Sequence, residues 1–296
     1  MFKDGRLREV ELAFLNAPFN PDGWLHALEQ LASLTGSRLA QLCGGGLGTD
    51  LDFNFFSDDC HDPHGHLTNP RLYGPENWRI NCAQRPRTIQ DERHYATYRL
   101  ARPASYYDDA VSDLDLPFGC QTPLILDNNG LFGLALLRSG RNGRCTAETI
   151  DCFRLIARQA HRAVRAQVAL GEEAAELMVA GVAGRRECTI LLDRFGNLLA
   201  MTEEAEHLFD DPDGLSLNGL RLALAHPGEQ QALDAAIKRL LAHDGAGGPT
   251  IHDTTIGRCA SQPAGRWRTV IVRLPGSPDP LSFAPALAVT LAPLAA

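Results

Sequence analysis

The chain has no excess of positive charge, no long apolar run and no catalytic signature. Lysine and arginine number 28 against 36 aspartates and glutamates, a formal net charge of −8. Gripping a phosphate backbone takes clustered cationic residues, so nucleic acid is not an expected partner of this chain alone. No apolar stretch is long enough to span a bilayer. The opening Met1-Phe2-Lys3-Asp4-Gly5-Arg6 leads into an acidic amphipathic stretch and not into the apolar core of a signal peptide. The expectations are therefore no membrane partner and a cytoplasmic location. The eight cysteines include no CxxC pair and mostly sit in apolar segments, as reduced buried thiols do. No GxSxG elbow, HExxH, P-loop or dinucleotide fingerprint occurs. Neither a cysteine-containing flavin motif nor a haem-ligand context stands out, so the expectation is no enzyme and no cofactor. The run Gly44-Gly45-Gly46 with Gly48 lacks the Gly-Lys-Ser/Thr ending of a phosphate cradle and reads as a turn. The paired acids Asp58-Asp59, Asp108-Asp109 and Asp210-Asp211 are adjacent, which suits loops and helix caps better than an acid/base pair.

What is present is an ordinary globular composition, 44% apolar and 22% charged over 296 residues, enough for about two domains. Amphipathic spacing predicts helices over 6–16 and 23–35, with strands at 38–43 and 51–56 around the glycine turn. Residues 57–119 are irregular, with helices expected near 75–84 and 102–113. Gln121–Leu126 and Leu131–Arg138 then form an apolar hairpin about Asp127-Asn128-Asn129-Gly130, since Asn-Gly supplies the positive φ angles of a tight turn. A helix capped near Thr146 follows and runs towards Met178. In it Ile150, Phe153, Ala157, Ala160 and Val164 recur at spacings of three and four, as a dimerisation seam would, and Arg154, Arg158 and Arg162 lie on another face that reads as solvated. Further on come a strand at 188–193, a turn at 194–197, a return strand at 198–201 and a short helix. A strand pair about Asn218-Gly219, a helix over 226–243 and strands at 250–257, 266–274 and 285–292 complete the chain. Hairpins join most strands, so the class is α+β: two domains with antiparallel sheets and flanking helices, joined by a long helix.

Two groups of residues have the chemistry of a site. Cys60, His61, His64 and His66 offer thiolate and imidazole at short spacing, which can hold zinc. Against this, Cys60 and His61 are adjacent, and Pro63 and Gly65 fit an exposed loop. Trp78, Tyr95, Tyr98, Tyr106 and Tyr107 share a segment with Arg79 and other arginines. Aromatic walls with an arginine for a carboxylate suit a small-molecule pocket, with Cys120 facing the same cavity. The alternative is a surface segment whose aromatics pack on the sheet.

Residues 120–170, an apolar hairpin ending in Leu136-Leu137-Arg138 and then a capped helix, resemble the end of a GAF-like sensor. Residues 188–292 resemble a PAS-like domain, opening with Leu191-Leu192-Asp193-Arg194-Phe195-Gly196-Asn197-Leu198-Leu199 and closing with Arg268–Leu274 and Leu287–Leu294. This order is similar to the sensory region of LuxR-type helix-turn-helix transcriptional regulators. The resemblance implies a GAF-like ligand-sensing domain at 1–145, a connecting and dimerising helix at 146–184 and a PAS-like domain at 185–296. It also implies a small-molecule ligand, a homodimer, and relay to a DNA-binding domain that is not seen after Leu294, so that a fragment of a longer regulator is expected. A stand-alone protein that antagonises another regulator is the alternative.

Overall fold

The computed structural model describes the chain except residues 1–3, 21, 46–52, 59–61, 68, 73–75, 84, 128–129, 183–187, 211–214, 243–249, 258–265, 276–282 and 295–296. It is α+β, with two compact units, 1–166 and 167–296.

In the first unit, helices α1 (Asp4–Asn16) and α2 (Gly23–Thr35) precede strands β1 (Leu39–Gly45) and β2 (Phe53–Phe56). Next come α3 (Trp78–Asn81), β3 (Gln90–Asp91), α4 (Glu92–Leu100), α5 (Tyr106–Asp113), β4 (Phe118–Asp127) and β5 (Gly130–Arg138). The sheet order is β2-β1-β5-β4-β3, and all its pairs are antiparallel. Trp24, Ala27, Leu28 and Leu31 recur at three- and four-residue spacing and bury the face of α2, and Gly36 ends that helix in the left-handed conformation glycine tolerates. The buried Arg138, at the end of β5, donates to the carbonyls of Thr35 (2.9 Å), Asn142 (2.7 Å) and Gly143 (2.9 Å). One guanidinium thus ties the end of α2 to the turn that leads into the next helix.

That helix, α6 (Ala147–Val182), is continuous over 36 residues. Thr146 caps it, its hydroxyl accepting from the Thr149 amide at 3.1 Å. Phe153, Ile156, Ala160 and Val164 are fully buried in the first unit, while Gln167, Gly171 and Ala175 are buried in the second. The boundary between the two units falls within this helix, between Ala166 and Gln167. Of the five residues expected on a dimer seam, Phe153, Ala160 and Val164 are spent in the protomer's own core. Ile150 and Ala157 are half-buried.

The second unit continues with β6 (Cys188–Leu192), β7 (Leu198–Met201), α7 (Glu203–Glu206), the hairpin β8 (Leu215–Asn218) and β9 (Arg221–Leu224), α8 (Pro227–Leu241), β10 (Ile251–Gly257), β11 (Arg266–Arg273) and β12 (Leu287–Pro293). Its five-stranded sheet runs β10-β11-β12-β6-β7. Leu233, Ala236 and Leu240 of α8 join Ile190, Leu192, Ile271 and Val289 in its core. Counted from its own first strand, each large sheet has the order 2-1-5-4-3. The β4–β5 and β6–β7 hairpins nevertheless occupy different places in their sheets. β4 and β5 are the fourth and fifth strands of their sheet, whereas β6 and β7 are the first and second of theirs.

The irregular segment departs most from expectation. Helix 75–84 shrinks to the four residues of α3, started by Asn77, whose side chain accepts from the amides of Arg79 and Ile80. The helix expected from 102 begins at Tyr106 behind a Ser105–Asp108 capping box. Strand β3 and helix α4 were not foreseen. Tyr95 alone is buried along α4, so no apolar stripe announces it.

Gly171 marks a close approach, since a Cβ there would run into the Phe283 carbonyl. In an open helix Gly→Ala stabilises by about 1 kcal/mol. Here Gly171→Ala is expected to lower the unfolding free energy by about 1–3 kcal/mol, read from urea denaturation of the full chain.

Candidate functional site

The predicted aromatic pocket exists as a cluster, and its occupant is a side chain of this protein. Trp78, Tyr95 and Tyr107 are buried together with Leu72, Cys82, Ala110 and Val111. Trp78 meets Tyr95 and Tyr107 at ring separations of 5.2 Å each, tilted on one and edge-on to the other. The Arg79 guanidinium lies 4.8 Å from the Trp78 ring centre, 5.6 Å from that of Tyr95 and 5.9 Å from that of Tyr107. It donates to the Leu116 carbonyl at 2.6 Å and to the Tyr107 hydroxyl at 3.1 Å, and its Nε has no partner. Arg79 is only 4% exposed, and no carboxylate reaches it among the described residues. Burial, only partly offset by Arg79, raises the Tyr95 and Tyr107 hydroxyls above the usual phenol range, so neither supplies a countercharge. Gln90 and Gln121 extend the polar network: Gln121 donates to the Arg79 carbonyl and to Gln90 (3.2 Å), and Gln90 to the Cys82 carbonyl.

The other expected site residues fall elsewhere or are already engaged. Tyr98 is half-buried at the edge of the aromatic cluster. Tyr106 lies 2.9 Å by its hydroxyl from His66 Nδ1, and the other His66 nitrogen is 3.0 Å from Asp113. His66 is thus buried with both ring nitrogens engaged, and does not lie on the exposed loop that the sequence suggested. His64 is exposed, and Cys60 and His61 lie outside the described residues. Among the described residues no group of three His, Cys, Asp or Glu is placed to hold a metal. Cys120 is wholly buried, and its thiol meets Cys145. That contact, with burial, raises it well above the ordinary thiol range.

A cleft of about 410 Å³ lies in the first unit where the N-terminal half of α6 passes β4 and the segment before β3. Its floor is Ile89, Thr122, Leu124 and Ala157. Arg87, Arg154, Arg158 and Arg162 stand around it with His161. Two backbone irregularities build it. β4 shifts register between Pro123 and Ile125, at Leu124, and bulges of this kind re-aim side chains. Arg87 adopts a left-handed φ of 59°, held by its amide donating to the Pro123 carbonyl at 2.7 Å. Proline suits this stretch of β4, beyond the two-residue β3, where no ladder partner asks for its amide. Burial, followed by the charges of Arg87, Arg165 and Arg162, holds the His161 pKa below its ordinary value. The helix arginines were legible as a face, but the cleft was not, because Arg87 reaches it only through tertiary structure.

Removing the caged cation leaves the Leu116 carbonyl and Tyr107 hydroxyl unpaired. Arg79→Ala is expected to cost about 2–4 kcal/mol of stability. Arg79→Met, which keeps the stem's volume and removes the desolvated charge, is expected to cost less. Urea denaturation of the two variants, followed by tryptophan fluorescence, checks the order.

No family model and no curated protein matches the chain. Among solved structures it is similar to a bacteriophytochrome from the photosynthetic bacterium R. palustris, at 16% identity and a TM-score of 0.35 over 99% of this chain. The match covers 65% of the phytochrome chain. It is also similar to a chain of the E. coli DhaR(N)–DhaL complex, at 14% identity and a TM-score of 0.25, over 97% of this chain and 87% of that one. Both likenesses are distant, and neither assigns a function.

Proposed function

We propose that this chain is the ligand-sensing and dimerising region of a LuxR-type transcriptional regulator, a cytoplasmic sensor and not an enzyme. Its first unit is GAF-like and binds a small molecule, and its second is PAS-like. The observation that carries the reading is α6, one uninterrupted helix whose residues are buried in both units. Residues 154–162 border a cleft in the first unit, and the same helix reaches Gly171 and Ala175 in the second. A ligand that binds two arrangements of the first segment with different affinity biases the second by the same free energy. The DNA-binding module that reads out this bias belongs to the regulator and not to the residues described.

Dimerisation falls to a different face from the one the sequence suggested. Leu155, Leu170 and Leu177 are exposed and lie within about 60° of one another around the helix at 3.6 residues per turn. These exposed leucines share their sector of the helix with Gln159, Arg162 and Glu173, a mixed face that suits pairing with a second copy. No described helix is long and apolar enough to cross a membrane.

Two measurements test the reading. Sedimentation at micromolar concentration is expected to show a dimer that Leu170→Glu with Leu177→Glu converts to monomer. Native mass spectrometry against a metabolite library, followed by hydrogen exchange, is expected to find a compound that slows exchange in both 154–162 and 167–182. A monomeric wild-type chain, or protection confined to the first segment, refutes it.

A further inference from the structure

The geometry points to the ligand class: we infer that the arginine cleft binds a small organic carboxylate with an apolar body, an aryl or short acyl acid. The inference rests on the sensory reading above and gives that sensor its ligand.

Charge is the first support. Four guanidinium groups surround a cleft that no carboxylate lines, in a chain whose net charge is −8. Arg154 is paired with Asp151, and Arg162 donates to the Gln159 side chain at 3.1 Å. Arg87 and Arg158 have no acidic partner among the described residues. They come from different elements and border the same opening, so they can meet the two oxygens of one carboxylate.

The floor selects against a bare ion. Ile89, Leu124 and Ala157 are apolar, and Thr122 and Leu124 are almost fully buried. A volume of about 410 Å³ lies in the range of small-molecule sites. A ring or short chain removes water from this floor while its carboxylate stays at the arginine rim. The register shift at Leu124 and the left-handed Arg87 converge on this place. Backbone outliers of this kind persist where surrounding structure enforces them.

His161 supplies an internal reporter. Burial and then the neighbouring arginines disfavour its charged form, so an anion among those arginines raises its titration midpoint.

The test uses the full chain at fixed ionic strength, with the His161 ring resonance assigned by its absence from His161→Gln. Benzoate and octanoate are expected to shift it saturably and to raise its midpoint. Benzyl alcohol and inorganic phosphate are expected to do neither. Arg87→Gln and Arg158→Gln, both at exposed positions, are each expected to weaken benzoate binding about tenfold or more. Arg141→Gln, on the exposed turn before α6, is expected to leave it unchanged. Binding that survives both cleft variants, or phosphate acting as well as benzoate, overturns the inference. Hydrogen exchange separates it from the sensory reading. Benzoate bound through Arg87 and Arg158 without any change in 167–182 keeps the site and removes the relay. A relay driven by another compound, with the cleft silent, does the reverse.

Discussion

A single helix has to satisfy two cores at once. The buried positions of α6 at 153, 156, 160, 164, 167, 171 and 175 follow one another by three or four residues across the point where the units meet. Each residue turns an α-helix by about 100°. One inserted residue would therefore carry every later buried position away from its core. The helix itself is continuous from Ala147 to Val182. Gly171 belongs to the same constraint: the backbone around Phe283 comes so close that the helix has no room for a side chain there.

The aromatic cluster of the first unit resolves a different tension. Taking a guanidinium out of water is expensive unless its donors and its charge are met. Arg79 meets three rings, a hydroxyl and the carbonyls of Leu116 and Phe118. Leu116 lies in the link between α5 and β4 and Phe118 opens β4, so the cation fastens α3, α5 and the start of β4 around one point. This accounts for order in a segment with little apolar periodicity. It also fills the space that the sequence had suggested for a ligand.

What could be read from the sequence follows from where the physical signal is local. Helix α2, the β4–β5 hairpin and α6 announce themselves through spacing, glycine and asparagine turns, and a threonine cap. The reading reached them to within about four residues at each end, the α6 C-terminus being the widest miss, beyond the usual blur of helix ends. Helix α4 and strand β3 have no such signal, since one buried tyrosine and a two-residue ladder leave no pattern. Trp78, Arg79, Tyr95 and Tyr107 were recognised as a group by composition. Whether they enclose a ligand or each other depends on which way Arg79 turns, and that is decided by carbonyls some forty residues away in the chain. The dimer seam failed for a related reason. Periodicity identifies an apolar stripe, but it does not say whether the stripe is covered by the same chain or by another.

The arginines of α6 carry a cost that bears on their purpose. Like charges four residues apart weaken a helix by about 0.2–0.5 kcal/mol per pair, and Arg154, Arg158 and Arg162 stand four apart, with Arg154 paired to Asp151. The helix withstands this because Phe153, Ile156, Ala160 and Val164 anchor its opposite side. An anion seated among these arginines removes the repulsion and so adds to the stability of the segment it touches, by an amount that grows with its concentration over its dissociation constant. The segment continues without a break into the second unit. On the sensory reading proposed above, occupancy of the cleft and the state of the far end of the helix would be linked reciprocally. A repulsive stripe on an otherwise well-anchored helix is thus a means by which binding can change the helix without rearranging either core.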